Sequence, residues 1–242
     1  AGAIGIAAIW TLITLIKPII EGMKISVKSM NSSSSERELH RMDTDMSTKS
    51  VIIVFGIILL GLVLTFWDFV SAVPISAGLM WTLVIVGVLV ALLIGFFVAA
   101  ACGYMAGLIG TSASPISGIG ILATIISSLV VYFIASENNL FATEAGVQFA
   151  TAMAIFMTSV VIAIASISND NLQDLKTGQL VGATPWRQQI ALLLGSVAGA
   201  IAIAPVLNLL YQAYGFTGAL PRAEMDPNAA LSAPQATLMT TI

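Results

Sequence analysis

From Phe69 to Ser136 the chain contains no Asp, Glu, Lys, Arg or His. A helix needs about 20 predominantly apolar residues to cross the hydrocarbon core of a bilayer, so this run holds more than one span. The remainder is similar in kind. Hydrophobic residues make up 58% of the chain and charged residues 9%, against about 25% charged in a soluble domain. Mean hydropathy is +1.00. Too few polar groups remain to cover a water-facing surface. The expected fold is all-α: a polytopic transmembrane helical bundle with broken or re-entrant segments, a single domain over residues 1–242, with the lipid bilayer as its first partner.

Six spans are expected. They are Ala1 to Ile20, Val51 to Val70, Leu79 to Cys102, Ile116 to Ser136, Gly146 to Ile167 and Gln188 to Tyr211. Thr184 and Pro185 stand at the cap and first position of the sixth. Leu231 to Ile242 reads as the start of a seventh. The chain opens apolar without a basic leader and closes inside an apolar segment, so it reads as an internal piece of a longer protein. Lys24 to Lys49, with its serine run and mixed charges, reads as a soluble linker. Cys102 is the only cysteine and His40 the only histidine, which removes an internal disulfide and a His-rich metal site from consideration.

Loop charge sets sidedness. Alternate connections group 24–49 with 169–187, and these hold Lys24, Lys28, Arg37, Arg41, Lys49, Lys176 and Arg187. The opposite connections hold only Arg222. The positive-inside rule places the first group in the cytoplasm and makes this a multi-pass protein of the plasma or inner membrane.

Two polar stretches interrupt the apolar pattern. Asn169 to Gln189, NDNLQDLKTGQLVGATPWRQQ, packs amides, two acids and glycines between membrane-length runs. It is expected to be a loop, a short interfacial helix or a re-entrant element. As a helix it would be capped by Ser168 or Asn169 and stopped by Gly178. Asp170 and Asp174 would then share a face, where two like charges repel unless a proton, a cation or Lys176 compensates. Such a face is either a proton- or cation-responsive element or a solvated surface. The second stretch is Cys102 to Ile121, CGYMAGLIGTSASPISGIGI. Gly103 and Gly107 have the spacing of a helix-packing pair. Gly110, Ser112, Ser114, Pro115, Ser117 and Gly118 are dense enough to expect a broken, cavity-lining segment over 110–118. The run GIGILA at Gly118 mimics a dinucleotide fingerprint but lacks the strand and crossover that such a site needs. No nucleophile–base pair, metal cluster or phosphate loop appears, and neither an enzyme, a cofactor nor a nucleic-acid partner is expected.

The first stretch resembles the signature segment of the oligopeptide transporter family, which includes peptide transporters and yellow-stripe-like metal-chelate transporters. The second resembles another segment of that family, and Ser232 to Thr237 resembles the start of its next helix. Together these cover about a fifth of the chain closely. The resemblance implies proton-coupled import of small peptides or chelated metal, with the remaining part of the transporter or further subunits as partners. Asn169, Asp170, Asn171, Gln173, Asp174 and Lys176 are then the candidate substrate or coupling residues, and 110–118 the cavity lining. The competing reading is a non-transporting structural or assembly subunit.

The charge bias makes a direct prediction. A cysteine placed at Ser32 to Ser35 reacts with impermeant thiol reagents only from the cytoplasmic side, and one at Asn138 or Asn228 only from outside. Labelling of both groups from one side would reverse the assignment.

Overall fold

A computed structural model describes residues 2–31, 41–217 and 229–240. It contains seven α-helices: α1 Gly2–Asn31, α2 Thr48–Ser71, α3 Ala77–Leu108, α4 Ile116–Glu137, α5 Glu144–Val181, α6 Pro185–Ala213 and α7 Pro234–Thr240. Short 3-10 turns lie at Arg41–Asp43, Thr111–Ala113 and Leu140–Ala142. Among the described residues no strand forms. Phe216 and Leu231 make a single bridge. Among the described residues five helices, α2 to α6, are long and apolar enough to cross a membrane, where six spans were expected and α1 is not one of the five; the chain is an all-α, multi-pass membrane protein. The serine run at 32–35, Arg37, Arg222 and Asn228 lie outside the described residues.

Three helices run further than expected. α1 does not stop near Pro18 but continues to Asn31, taking Lys24 to Asn31 out of the expected linker. A proline is tolerated inside a membrane helix where neighbouring groups re-satisfy the freed carbonyl. α3 continues past Cys102 to Leu108. The largest correction concerns α5, a single helix of 38 residues, about 57 Å long at 1.5 Å per residue. The expected loop or separate short helix after Ser168 is instead its last third. Nothing between Glu144 and Val181 breaks a helix by lacking an N–H, and Leu, Gln and Lys favour continuation. Its start is set by Thr143, whose hydroxyl accepts from Gly146 N at 3.1 Å. Its stop is Gly182, at φ 76°. There Ala183 N donates to Gly178 O at 2.8 Å and Gly182 N to Gln179 O at 3.4 Å, the paired bonds of a Schellman ending. Gly178, the expected stop, stays helical one turn earlier.

α5 forms the centre of the bundle, with α3 and α4 packed along it. The main core joins α2, α3, α4 and α5 through Phe66, Val70, Leu83, Val84, Val131, Phe149, Met153 and Met157. Phe156 takes the edge of Phe66 at 5.0 Å and stacks on Phe69 at 4.4 Å. A second core holds Val98, Cys102, Ile119, Ala123, Val161 and Ala165. Three glycines of α3, eight residues apart, receive side chains from its neighbours. A Cβ on Gly87 would lie 2.4 Å from the Phe66 ring, one on Gly95 2.7 Å from Ile164, and one on Gly103 2.9 Å from Ser168 and 3.1 Å from Leu172. Lipid tails are as apolar as leucine, so close packing of this kind rather than water exclusion holds membrane helices together. Gly107, the other half of the expected pair, faces open space.

The residues before α2 are tied to the α5–α6 turn. Arg41 Nη2 donates to Gly182 O at 2.9 Å, and Trp186 N donates to Thr44 O at 3.1 Å. Gln189 accepts from Met46 N at 2.9 Å and donates to Asp45 Oδ1 at 3.3 Å. The connections grouped together by loop charge therefore lie at the same end of the bundle.

Phe66 is fully buried and has no room to yield to a methyl group at position 87. Gly87→Ala is expected to destabilise the detergent-solubilised protein by about 1–3 kcal/mol, read as a lowered Tm. Gly56→Ala, where a Cβ meets nothing within 4 Å, leaves Tm unchanged or raises it.

Candidate functional site

α3 ends at Leu108 and α4 begins at Ile116. Gly110 sits at φ 117° and ψ 165°, a conformation essentially restricted to glycine. Thr111 to Ala113 make one 3-10 turn. Pro115, at φ −82° and ψ 47°, is the centre of an inverse γ-turn, closed by Ile116 N donating to Ser114 O at 2.9 Å. The break is thus 109–115, shorter than expected. Ser117 and Gly118 are helical, because a proline just before a helix leaves its first turn free to form.

The interruption is held by the last third of α5. Gln173 Oε1 accepts from Thr111 N at 2.9 Å. Ser114 Oγ contacts both the Asn169 amide and Cys102 O, the latter at 3.2 Å. One hydroxyl proton cannot serve two acceptors. Both contacts are satisfied when the Asn169 amide turns its NH2 to Ser114 Oγ and the hydroxyl donates to Cys102 O. Asn169 is 3% exposed, so its amide depends on this partner. One residue earlier, Ser168 Oγ donates to Ala99 O at 2.7 Å. The two polar stretches, 55 residues apart at Ser114 and Asn169, form one hydrogen-bonded unit.

This third of α5 presents a different face to each neighbour. Asn169 and Gln173 meet the break. Ser168 and Leu172 border a mostly apolar cavity of about 680 Å3 between α1, α3 and α5, lined also by Pro18, Phe96 and Tyr104. Asn171 and Leu175 line a groove of about 290 Å3 with α2 and α6, and Gln189 lines it with them. Asp170, Asp174 and Lys176 are exposed. The two acids lie one turn apart, and among the described residues neither carboxylate is paired with a cation. Lys176 Nζ donates to Gln179 Oε1 at 2.9 Å. Ser112 and Ser117 are exposed, while Gly118 is buried. Of the candidate residues, the structure therefore joins Asn169, Gln173 and Ser114 and leaves the charged ones apart. Among the described residues no three His, Cys, Asp or Glu side chains gather as a metal site would require.

The OPT oligopeptide transporter protein family model matches residues 1–242, the whole chain. The chain belongs to the oligopeptide transporter family. A Haemophilus influenzae protein described as a "Putative oligopeptide transporter" is 56% identical over 241 residues, a match that covers 100% of this chain and 38% of that relative. The chain thus spans about two fifths of the length of the relative. No solved structure matches it.

Within this oligopeptide transporter segment, several residues join the unit that spacing alone did not single out. Thr111 contributes only its backbone N–H, and Ser168 was expected as a cap rather than a cross-link. Gln188 donates to Asp174 O at 3.1 Å and covers Gly178 so closely that a Cβ there would lie 1.9 Å from its amide. The visible signal for the last was the adjacent pair Gln188–Gln189 in the first turn after the helix-starting Pro185.

Removing Ser114 Oγ leaves a buried amide without its partner, which costs about 1–3 kcal/mol. Ser114→Ala and Asn169→Ala are each expected to lower stability by that amount. The double variant should lose clearly less than the sum, because both remove the same contact. Thermal unfolding in detergent measures it, and strict additivity would separate the two side chains.

Proposed function

We propose that the full-length protein is a secondary active transporter importing small oligopeptides or metal-chelate complexes, driven by protons, across the plasma or inner membrane. The observation that carries this reading is the backbone interruption at 109–115, tethered to the amides of Asn169 and Gln173, in a chain of the oligopeptide transporter family. Interrupted helices in transporters expose backbone amides and carbonyls that bind substrate or ions. Here Gly110, Ser112 and Ser117 are the accessible polar part of that region, and Ser114 and Pro115 its fixed part. The relative's description as an oligopeptide transporter favours peptide over chelate.

In this reading Asp170 and Asp174 are the coupling candidates. They share a face, stand one turn apart and repel each other when both are ionised. Asn171 and Lys176 flank them as gate residues. Both acids are exposed in this segment.

The test is uptake by the full-length protein in proteoliposomes, with an imposed proton gradient and rates normalised to folded protein. Peptide-dependent proton flux is expected. Asp170→Asn or Asp174→Asn should abolish uphill uptake while leaving peptide exchange measurable. Normal uphill uptake in both single variants and in the double variant removes these acids from coupling. No peptide-dependent proton flux in the unaltered protein leaves the structural-subunit reading.

A further inference from the structure

Away from the tether, α4 and α5 separate around a second polar region. A cavity of about 350 Å3 lies between them, closed by Phe141 of the α4–α5 connection and Met239 of α7. Four hydroxyl residues line it: Thr124, Ser128 and Tyr132 on one face of α4, at successive four-residue steps, and Thr151 facing them from α5. No charged residue lines it. Its volume falls at the lower end of ligand pockets, about 300–1,000 Å3.

The hydroxyls divide into two kinds. Thr124 Oγ1 donates to Gly120 O at 2.8 Å and Thr151 Oγ1 to Val147 O at 2.9 Å. Each has used its proton on its own helix, the usual way a membrane helix quiets a hydroxyl, and keeps lone pairs to accept. Ser128 and Tyr132 have no hydrogen-bond partner among the described residues, so each keeps a proton to donate as well. Ser128 is half-buried and Tyr132 exposed, so both hydroxyls border the cavity on its open side and are free to meet an occupant. The cavity therefore offers acceptors on both helices, donors on one, and no charge.

A peptide unit has the complementary set: one N–H to give and one C=O to receive. We propose that this cavity binds the main chain of a short peptide, with peptide N–H groups donating to Thr124 and Thr151 and a peptide carbonyl accepting from Ser128 or Tyr132. The proposal rests on the transporter reading above and adds where its substrate is recognised. Contacts to backbone alone leave side chains unread. The Tyr132 and Phe141 rings, 5.5 Å apart, and Met239 give them an adaptable apolar wall. An uncharged site has nothing to pair with peptide termini, so it takes the internal amides.

Two measurements on the full-length transporter test this with trialanine as probe. The first is uptake in proteoliposomes by a Ser128→Ala, Tyr132→Phe double variant. KM for trialanine is expected to rise about tenfold, the effect of losing about one net hydrogen bond, with the maximal rate per folded molecule nearly unchanged. The second is labelling of Ser128→Cys by N-ethylmaleimide, in a background where Cys102 and other reactive thiols are replaced. Trialanine should slow labelling several-fold, and trialanine methylated on its central amide nitrogen should not. An unchanged KM together with no protection, in a protein that takes up trialanine, overturns the site and leaves the transport reading intact. Protection without uptake by the unaltered protein keeps the site and overturns the transport reading. Neither uptake nor protection overturns both.

Discussion

A helix that stops inside a membrane protein frees backbone groups that lipid cannot satisfy, and the break between α3 and α4 depends on how they are met. Gln173 supplies the acceptor for Thr111 N, and Ser114 ties the far side of the break to Asn169 and back to the end of α3. Neutral amides suit this task. An Asn or Gln side chain offers both donor and acceptor, matching backbone groups of either kind, and its burial costs little once it is paired. The break is consequently a built junction, in which Gly110 supplies a dihedral pair other residues avoid and Pro115 fixes the turn that starts α4.

The junction requires α5 to arrive at the right height, and that follows from its continuity. A hydrocarbon core takes about 20 residues, and the uncharged stretch Ala145 to Asn169 provides them. The same helix then carries its amides onward without a joint. The glycines of α3 make the register firm. Gly95 takes Ile164 and Gly103 takes Ser168 and Leu172, so sliding α5 by one turn would drive bulky side chains against α3 backbone. The α5–α6 turn is closed by Gly182 and held from outside by Arg41 and Gln189.

The five spans α2 to α6 were legible because about 20 apolar residues have one use in a membrane chain, and the start of α6 was legible from Thr184 and Pro185. The ends were read less well. Gly178 and Gly182 are both credible stops by composition. What decides between them is that Gln188 folds over Gly178, a contact made only after the chain turns. The polar character of Asn169 to Gln189 argued for a loop, a short interfacial helix or a re-entrant element, yet polarity opposes a membrane helix only where lipid is the neighbour. Here the neighbours are the α3–α4 break, the α2 and α6 groove, and water. That Asn169 meets Ser114 follows from packing over 55 residues of separation, which no local spacing encodes. The match over the full chain agrees with the family resemblance carried by these two segments.

The sorting of α5's last third follows from the cost of removing each group from water. At about 100° per residue, the two turns from Ser168 to Leu175 offer four faces. An ionised carboxylate loses far more on burial than an amide does, and two carboxylates one turn apart add mutual repulsion. Asp170 and Asp174 therefore take the exposed face, roughly opposite Ser168 and Leu172. Asn169 and Gln173 go inward, where each finds a backbone or hydroxyl partner, and Leu172 packs over Gly103. Exchanging the acid and amide faces would bury two like charges against the break and leave Thr111 N unmet. The continuous helix thus separates a neutral, structural face from a charged, exposed one, within eight residues and without a loop between them.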